Sequence, residues 1–159
     1  MNRLSHVDAR GQARMVDVSA KPVVARAAVA RAELRLQRET LRLIHAHQIT
    51  KGNVLATARV AGIQAAKKTG ELIPLCHPLA ITHCEIDFEF PASQDRVVIT
   101  ASAKIAAPTG VEMEALTAAA VAALTIYDMC KAVDSRMQLT RLRLLSKTKA
   151  GSTGRDDGK

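Results

Sequence analysis

The feature that most constrains the fold of this chain is an uncharged run, ALTAAAVAALTIY, at 115–127. A helix that is apolar on all sides is buried in a protein core or in a membrane. This run is shorter than the roughly 20 apolar residues that span a bilayer. The chain has two Phe, one Tyr and no Trp, so the surrounding core must be aliphatic and rich in alanine. Because alanine buries little area, we expect close helix packing or subunit contacts to add stability.

The pattern of apolar residues around this run predicts one α+β domain. Polar and apolar residues alternate in four segments, which is typical of strands, and three other segments have helical periodicity. The order strand, two helices, two strands, helix, strand is that of a ferredoxin-like fold with an additional helix. We therefore expect an antiparallel sheet with helices on one face. The predicted parts are an extended N-terminal arm at 1–20, the domain at 21–146, a flexible tail at 147–159, strands at 30–37, 79–90, 97–105 and 138–145, and helices at 38–49, 51–70 and 111–133.

Individual residues indicate how two of these helices begin, end and pack. Asn53 is expected to cap the second helix at its start, and Gly70 to end it in a left-handed conformation. Thr109 is expected to cap the long helix. Gly62 costs about 1 kcal/mol relative to alanine inside a helix, so we interpret it as a close approach of another backbone.

The segment ELIPLCHPLAITHC, at 71–84, holds two cysteines and two histidines within nine positions, and two prolines flank the first Cys–His pair. On an extended strand His83 and Cys84 point to opposite faces, so they cannot share one metal ion with Cys76 and His77. The paired C-x₂-C clusters of structural zinc sites are also missing from the segment. Cys76 beside His77 is compatible with a thiol and its base or with a small core residue. Because two prolines stiffen the loop, we favour a third interpretation, a loop that holds a ligand.

Charged residues flank the uncharged run at both ends of the long helix. Glu112 and Glu114 oppose the helix dipole in the first turn, which is a sufficient structural reason for them. Asp128 and Lys131 share a face at the other end, where they form either an acid–base pair or a structural ion pair. Glu114 and Asp128 are about 21 Å apart along the helix, so one small substrate reaches both only if two copies meet antiparallel. We expect the alanines of the helix to allow that packing: Ala118, Ala119, Ala120, Ala122 and Ala123.

The net charge of +8 favours a phosphorylated ligand, nucleic acid or an anionic membrane, unless it serves only solubility. Basic domains of this fold that bind RNA usually stack bases on exposed aromatic residues, but the strand pattern turns Phe88 and Phe90 to the apolar face. We therefore expect neither nucleic acid nor membrane as a partner. The start, MNRLSHVDAR, lacks the apolar core of a secretory signal. Three cysteines without a disulfide framework suit a reducing cytoplasm.

Three long motifs resemble one known family. They are MVDVSAK, KGNVLATARVAGIQAAKKTGELIPLCHPL and TGVEMEALTAAAVAALTIYDMCKAVD. They are similar to the cyclic pyranopterin monophosphate synthases, the C proteins of molybdenum cofactor biosynthesis, and the similarity extends over roughly 10–150. The chain departs from the family pattern at 106–108, where basic or polar residues are more usual, and in its C-terminal tail.

The resemblance implies a ferredoxin-like fold and a homohexamer, a trimer of dimers, with active sites at subunit interfaces. It implies a lyase that converts (8S)-3',8-cyclo-7,8-dihydroguanosine 5'-triphosphate to cyclic pyranopterin monophosphate and releases pyrophosphate. An inactive family member is the alternative. No cofactor is required, although Mg²⁺ can accompany the triphosphate, and whether His77 moves a proton or only positions substrate stays open. The implied catalytic residues are Asp128, Lys131 and Lys51, and the implied substrate-binding residues are Leu75, Cys76, His77, Glu112, Met113, Glu114, Arg26 and Lys147.

Overall fold

The structure, a computed structural model, describes residues 10–150. Residues 1–9 of the predicted arm and 151–159 of the predicted tail lie outside the described residues, and the last strand continues past 147 to Lys149. The helices and strands follow the predicted order with two differences: the segment predicted as one helix at 51–70 forms two helices, and the first strand begins at Val24 rather than at 30. They are β1 (Val24–Arg35), α1 (Arg38–His45), α2 (Val54–Lys67), α3 (Thr69–Leu72), β2 (His83–Glu89), β3 (Arg96–Ala107), α4 (Glu112–Cys130) and β4 (Gln138–Lys149).

The four strands form one antiparallel sheet in the order β2-β3-β1-β4. This arrangement confirms the predicted α+β class and its ferredoxin-like architecture. Along β1 the buried Ala28, Ala30 and Ala32 alternate with Val29, Arg31 and Glu33, which lie on the opposite, open face of the sheet. On that open face Glu33 is only 9% exposed, because Arg96 and Arg141 pair with its carboxylate at 3.2 and 3.5 Å.

Helices α2 and α4 pack against each other and cover the other face of the sheet. Gly62 of α2 lies where the two helices meet. A methyl group at this position would overlap Ile86 and would lie 2.8 Å from the carbonyl oxygen of Ala118 and 3.2 Å from Cβ of Ala122. The predicted close approach at Gly62 is therefore confirmed, and it lets the α4 backbone lie directly against α2.

The alanines of α4 pack largely within the chain. Ala118, Ala119, Ala122 and Ala123 are each 0% exposed, so the prediction that they pack between copies is wrong for these four. The sheet and the neighbouring helix α2 cover these four alanines. Ala120, the fifth alanine of the prediction, is partly exposed. Within residues 10–150, α4 is also the one helix long and apolar enough to cross a membrane, and half of that window is buried inside the protein. That burial is typical of a core helix.

The predicted helix ends are partly confirmed. The side chain of Asn53 caps α2 by accepting a hydrogen bond of 3.1 Å from the first-turn backbone. Gly70 does not end α2, because it lies inside α3, where the absence of a side chain lets Pro78 approach. Thr109 does not cap α4; Val111 occupies the N-cap position and offers no side-chain hydrogen bond.

Candidate active site

The predicted site residues lie in two groups at opposite ends of α4. The group at the end of α4, here called the lysine cluster, comprises Lys51, Asp128 and Lys131. The group at the start of α4, here called the cavity cluster, surrounds a pocket on the surface of the chain. Its residues are Leu75, Cys76, His77, Glu112, Met113 and Glu114, with Arg26 and Lys147 beside it.

The pocket of the cavity cluster has a volume of about 430 Å³, which lies in the range typical of small-molecule sites. The stiff loop from Leu75 to Leu79 forms one wall and the first turn of α4 forms another. The extended segment before β1 completes the lining with Val16, Val18 and Lys21. The predicted role of the loop as a wall of a ligand site therefore has a geometric basis.

His77 is held in one orientation by the segment before β1. Its Nε2 lies 2.7 Å from the carbonyl oxygen of Val16. A carbonyl oxygen can only accept, so Nε2 carries the proton and donates it. In the neutral imidazole Nδ1 is then the acceptor, and His77 is one of the residues that line the pocket.

Two acidic groups of the cavity cluster stay protonated to a higher pH than usual because they are buried. Glu114 is 3% exposed, and burial, helped by the Glu112 carboxylate, raises the pKa of its carboxyl group. Burial also raises the pKa of the Cys76 thiol, and the charge of Glu114 adds to the effect. Cys76 is therefore a neutral thiol at neutral pH, which argues against the interpretation of a thiolate nucleophile activated by His77.

The segment before α4 folds so that Glu112 turns back toward it. A side chain at Gly110 would collide with the Glu112 carboxylate, since its Cβ would lie 2.6 Å from Cδ of Glu112. Lys147 on β4 pairs with Ala28 of β1, whose side chain is buried. The Nζ of Lys147 is 3.9 Å from the Glu112 carboxylate. This ion pair brings the predicted Lys147 to the cavity cluster.

Arg26 fixes the same segment through its backbone. Its guanidinium donates hydrogen bonds of 3.0 Å to the carbonyl oxygens of both Ala107 and Pro108. These contacts do not depend on the side chains at 106–108, where the chain departs from the family pattern. Arg26 therefore lies beside the cavity cluster and positions the approach to α4.

The lysine cluster joins the loop before α2 to the end of α4. Gly52 has a φ of 103°, a left-handed conformation that glycine adopts readily, and it turns the chain between Lys51 and the cap of α2. Lys51 Nζ then lies 2.8 Å from Asp128 Oδ2 and 2.9 Å from the Asp128 carbonyl oxygen. Lys131 Nζ lies 2.7 Å from Asp128 Oδ1. One carboxylate thus holds two ammonium groups.

The two lysines strongly favour the ionised form of Asp128. The hydrogen bond from Lys131, followed by that from Lys51, lowers the pKa of Asp128 to about 2. The same contact with Asp128 raises the pKa of Lys131. All three side chains are about half exposed, at 45% for Lys51 and 56% for each of the others. The cluster is therefore a charged, accessible surface that is ready to meet an anion.

No group of three or more His, Cys, Asp or Glu side chains within 10–150 is arranged to hold a metal ion. Cys76 and Cys84 are partly buried and Cys130 is fully buried, and all three are free thiols. Burial raises the pKa of Cys130 to about 11, with a smaller contribution from Asp134.

Comparison with known proteins assigns the chain to a family. The sequence profile of the MoaC family matches residues 15–150. This chain belongs to the MoaC family. It is 54% identical over 148 residues to the cyclic pyranopterin monophosphate synthase of a Roseiflexus species, covering 93% of this chain and 94% of the relative. The synthase of Chloroflexus aurantiacus is 54% identical over 153 residues, covering 96% and 93%. That of Thermomicrobium roseum is 53% identical over 159 residues, covering 99% and 96%.

The part of the chain that matches the MoaC family contains both clusters, and it also contains pocket residues that the sequence did not single out. These residues come from the segment before β1, from the turn before α4 and, in the case of Leu79, from the end of the stiff loop. Lys21 is the last residue of the motif MVDVSAK, which the sequence singled out by its resemblance to the family. Val16 and Val18 lie in the same motif, but nothing in their chemistry marked them as site residues. The additional lining residues are Val16, Val18, Lys21, Leu79, Thr109 and Gly110.

Proposed function

We infer that this chain is a cyclic pyranopterin monophosphate synthase, an enzyme of molybdenum cofactor biosynthesis. Three relatives with that name are more than half identical to it over nearly their whole length, and the MoaC profile covers both clusters. We propose that its substrate is the cyclic dihydroguanosine triphosphate given by the family resemblance, and that the reaction is a lyase reaction that releases pyrophosphate.

The separation of the two clusters is the observation that carries the proposed site. Within one α4, Glu114 and Asp128 are about 21 Å apart, which is too far for one small substrate to touch both. We propose that the cavity cluster of one copy and the lysine cluster of a second copy together form one active site. Such an arrangement is compatible with the homohexamer that the resemblance implies.

The outer surface of α4 supports this proposal. Between the clusters it presents an apolar stripe in which Met113 is 37% and Leu124 is 54% exposed, with Ala120 between them. On neighbouring α2, Val60 is 57% exposed. A second copy packed antiparallel on this stripe would bury these side chains and would bring its own Asp128 toward the cavity cluster.

The charges of the clusters suggest a division of tasks. With a pKa of about 2, Asp128 is a weak base near neutral pH, so we assign it to holding Lys51 and Lys131 rather than to accepting protons itself. The lysines, with Arg26 and Lys147, would neutralise the triphosphate as it bends to form the cyclic phosphate. A lysine, and His77 through Nδ1, would carry the proton transfers of the ring rearrangement.

The proposed reaction transfers no electrons, so it requires no redox cofactor, and Mg²⁺ would arrive with the triphosphate as part of the substrate. We place the enzyme in the cytoplasm, where free thiols such as those of Cys76, Cys84 and Cys130 persist.

Complementation between subunits tests the shared site. One variant, Glu114→Gln, damages the cavity cluster, and a second, Asp128→Asn, damages the lysine cluster. Each should be inactive alone. When the two are unfolded together and refolded as mixed oligomers, about a quarter of the sites should receive both intact halves if assembly is random. Product formation should then return to about a quarter of the parental rate.

The matched control is the double variant with both substitutions in one chain, mixed with the parent. In a shared site that mixture keeps about a quarter of the activity, whereas in a site built within one chain it keeps about half. Failure of the two single variants to complement each other, together with half-activity in the control, would contradict the shared site. If the unmodified enzyme formed no cyclic pyranopterin monophosphate from the proposed substrate, that result would contradict the proposed function itself.

A further inference from the structure

Asp134 lies in the turn that follows α4 and belongs to neither cluster. Its buried carboxylate accepts four hydrogen bonds. Asp134 is 2% exposed. Its Oδ2 accepts hydrogen bonds from the backbone N–H of Gln37 at 2.8 Å and the hydroxyl of Thr40 at 3.1 Å. Its Oδ1 accepts from Nε2 of Gln37 at 3.1 Å and the N–H of Arg136 at 3.2 Å.

These bonds make Asp134 the cap of α1, supplied from a distant part of the chain. Gln37 occupies the N-cap position of α1 but makes no side-chain cap of its own. A carboxylate is favoured at this end of a helix by the helix dipole and by the unpaired N–H groups. Burial opposes ionisation of Asp134, but the hydrogen bonds from Gln37, Arg136 and Thr40 outweigh it and lower the pKa of the carboxyl group.

The carboxylate is rigidly connected to the part of α4 that carries the lysine cluster. The N–H of Asp134 donates to the carbonyl oxygen of Cys130 at 3.0 Å, which continues the helical bonding past Lys131. A shift of the end of α4 would therefore move Asp134, Asp128 and Lys131 together.

Asp134 bonds to the start of α1 at Gln37 and Thr40, and the loop that follows α1 carries Lys51. Helix α1 has eight residues, about 12 Å of length, and the loop that follows it contains buried Ile49, which is 6% exposed, and then Lys51. The hydrogen bonds of Asp134 thus join the element that carries Asp128 to the element that delivers Lys51.

We propose that Asp134 is a positioning residue for the lysine cluster: by capping α1 from the end of α4, it holds Lys51 in contact with Asp128. Its consequence for catalysis rests on the proposed function, whereas the geometric link does not. The substitution Asp134→Asn keeps the size of the side chain but replaces one accepting oxygen with an NH₂ group. At least one of the bonds is then lost, and the contact between Lys51 and Asp128 loosens.

Two measurements on the full-length oligomer test the proposal. The first is acetylation of lysine amines by acetic anhydride, which releases acetate, quantified for each residue by mass spectrometry. Loss of one hydrogen bond to a charged group changes a population by about tenfold or more, so Asp134→Asn should raise the acetylation rate of Lys51 by about tenfold. The rate at exposed Lys67 on α2 should stay unchanged. The second is steady-state kinetics, in which kcat should fall by about tenfold while KM changes by less than about twofold.

Two further variants separate positioning from stability. Thr40→Val removes one bond to Asp134 and should change Lys51 acetylation and kcat in the same direction, by a smaller factor. Val97→Ala, in the core of the sheet, should lower stability without changing either quantity. Parental acetylation of Lys51 in Asp134→Asn, or an equal change in Val97→Ala, would overturn the proposal. Faster acetylation of Lys51 with an unchanged kcat would uphold the geometric link and count against Lys51 as a catalytic residue.

Discussion

Replacement of Gly62 by alanine should test whether the contact between α2 and α4 is as close as the structure shows. Alanine favours a helix over glycine by about 1 kcal/mol. Its methyl group, however, would overlap Ile86 and would lie 2.8 Å from the carbonyl oxygen of Ala118. The Ile86 side chain can turn away, but the backbone carbonyl moves only with α4. Overpacking of this kind costs about 1–3 kcal/mol, and contact with a fixed backbone atom argues for the upper part of that range.

The net expectation for Gly62→Ala is a loss of about 1–2 kcal/mol in the free energy of unfolding. Urea unfolding followed by circular dichroism, at one fixed protein concentration, should show the midpoint falling by about 0.5–1 M for a slope near 2 kcal/mol per M. The fixed concentration matters because association of subunits adds to apparent stability.

The variant Ile86→Val provides the control, because it removes the methyl group that overlaps the new side chain. Alone it should cost about 0.5–1.5 kcal/mol. Combined with Gly62→Ala it should cost less than the sum of the two, since the space left by Ile86 accepts the new methyl group. The double variant should stay less stable than the parent because the contact with the Ala118 carbonyl remains. A rise in the midpoint for Gly62→Ala by itself would refute the close contact.

Three further predictions concern the clusters. Asp128→Asn should abolish turnover yet leave the oligomer intact in size-exclusion chromatography, because the side chain is more than half exposed and shapes only the lysine cluster; normal product formation would remove Asp128 from the site. With a folded pKa of about 2 against an ordinary value of 3.8, the Asp128 contacts contribute stability that is fully present above about pH 4 and is lost as pH falls through about 2. Side-chain carboxyl NMR should therefore show no titration of Asp128 between pH 4 and 8, and a midpoint within that window would be inconsistent with two lysine partners. Iodoacetamide at pH 8 should modify Cys76 faster than Cys130, because burial raises the Cys130 pKa to about 11 and leaves its sulfur inaccessible; equal rates by mass spectrometry would contradict that burial.

The order of elements was predictable because periodicity is a local property of the chain. Alternation along β2 and the uncharged run of α4 each indicated the correct structure without reference to the rest of the molecule. Helix ends were less predictable. Asn53 caps α2 as expected, but Gly70 lies in α3, where a side chain would meet Pro78 of the loop that follows. Local sequence contains no information about such a neighbour.

For the candidate site, the sequence motifs supplied residue types and the length of α4 supplied the distance between them. Those two quantities separated the residues at the two ends of α4, and the proposal of a second copy rests on that separation. The sequence did not indicate that Lys51 and Lys131 both form ion pairs with the Asp128 carboxylate, or that Lys21 and the rest of the segment before β1 line the pocket. These contacts join residues far apart in the chain.

The sequence by itself determined the order of the strands and the longer helices, the apolar character of α4, and that the acids of α4 lie too far apart for one ligand. Only the tertiary structure decided that four alanines of α4 are buried inside the chain. It also decided that Asp134 caps α1, a helix that begins almost a hundred residues earlier. The physical reason is the range of the interactions. Hydrogen bonding along a helix and alternation along a strand involve near neighbours, whereas packing and distant capping depend on which elements the fold brings into contact.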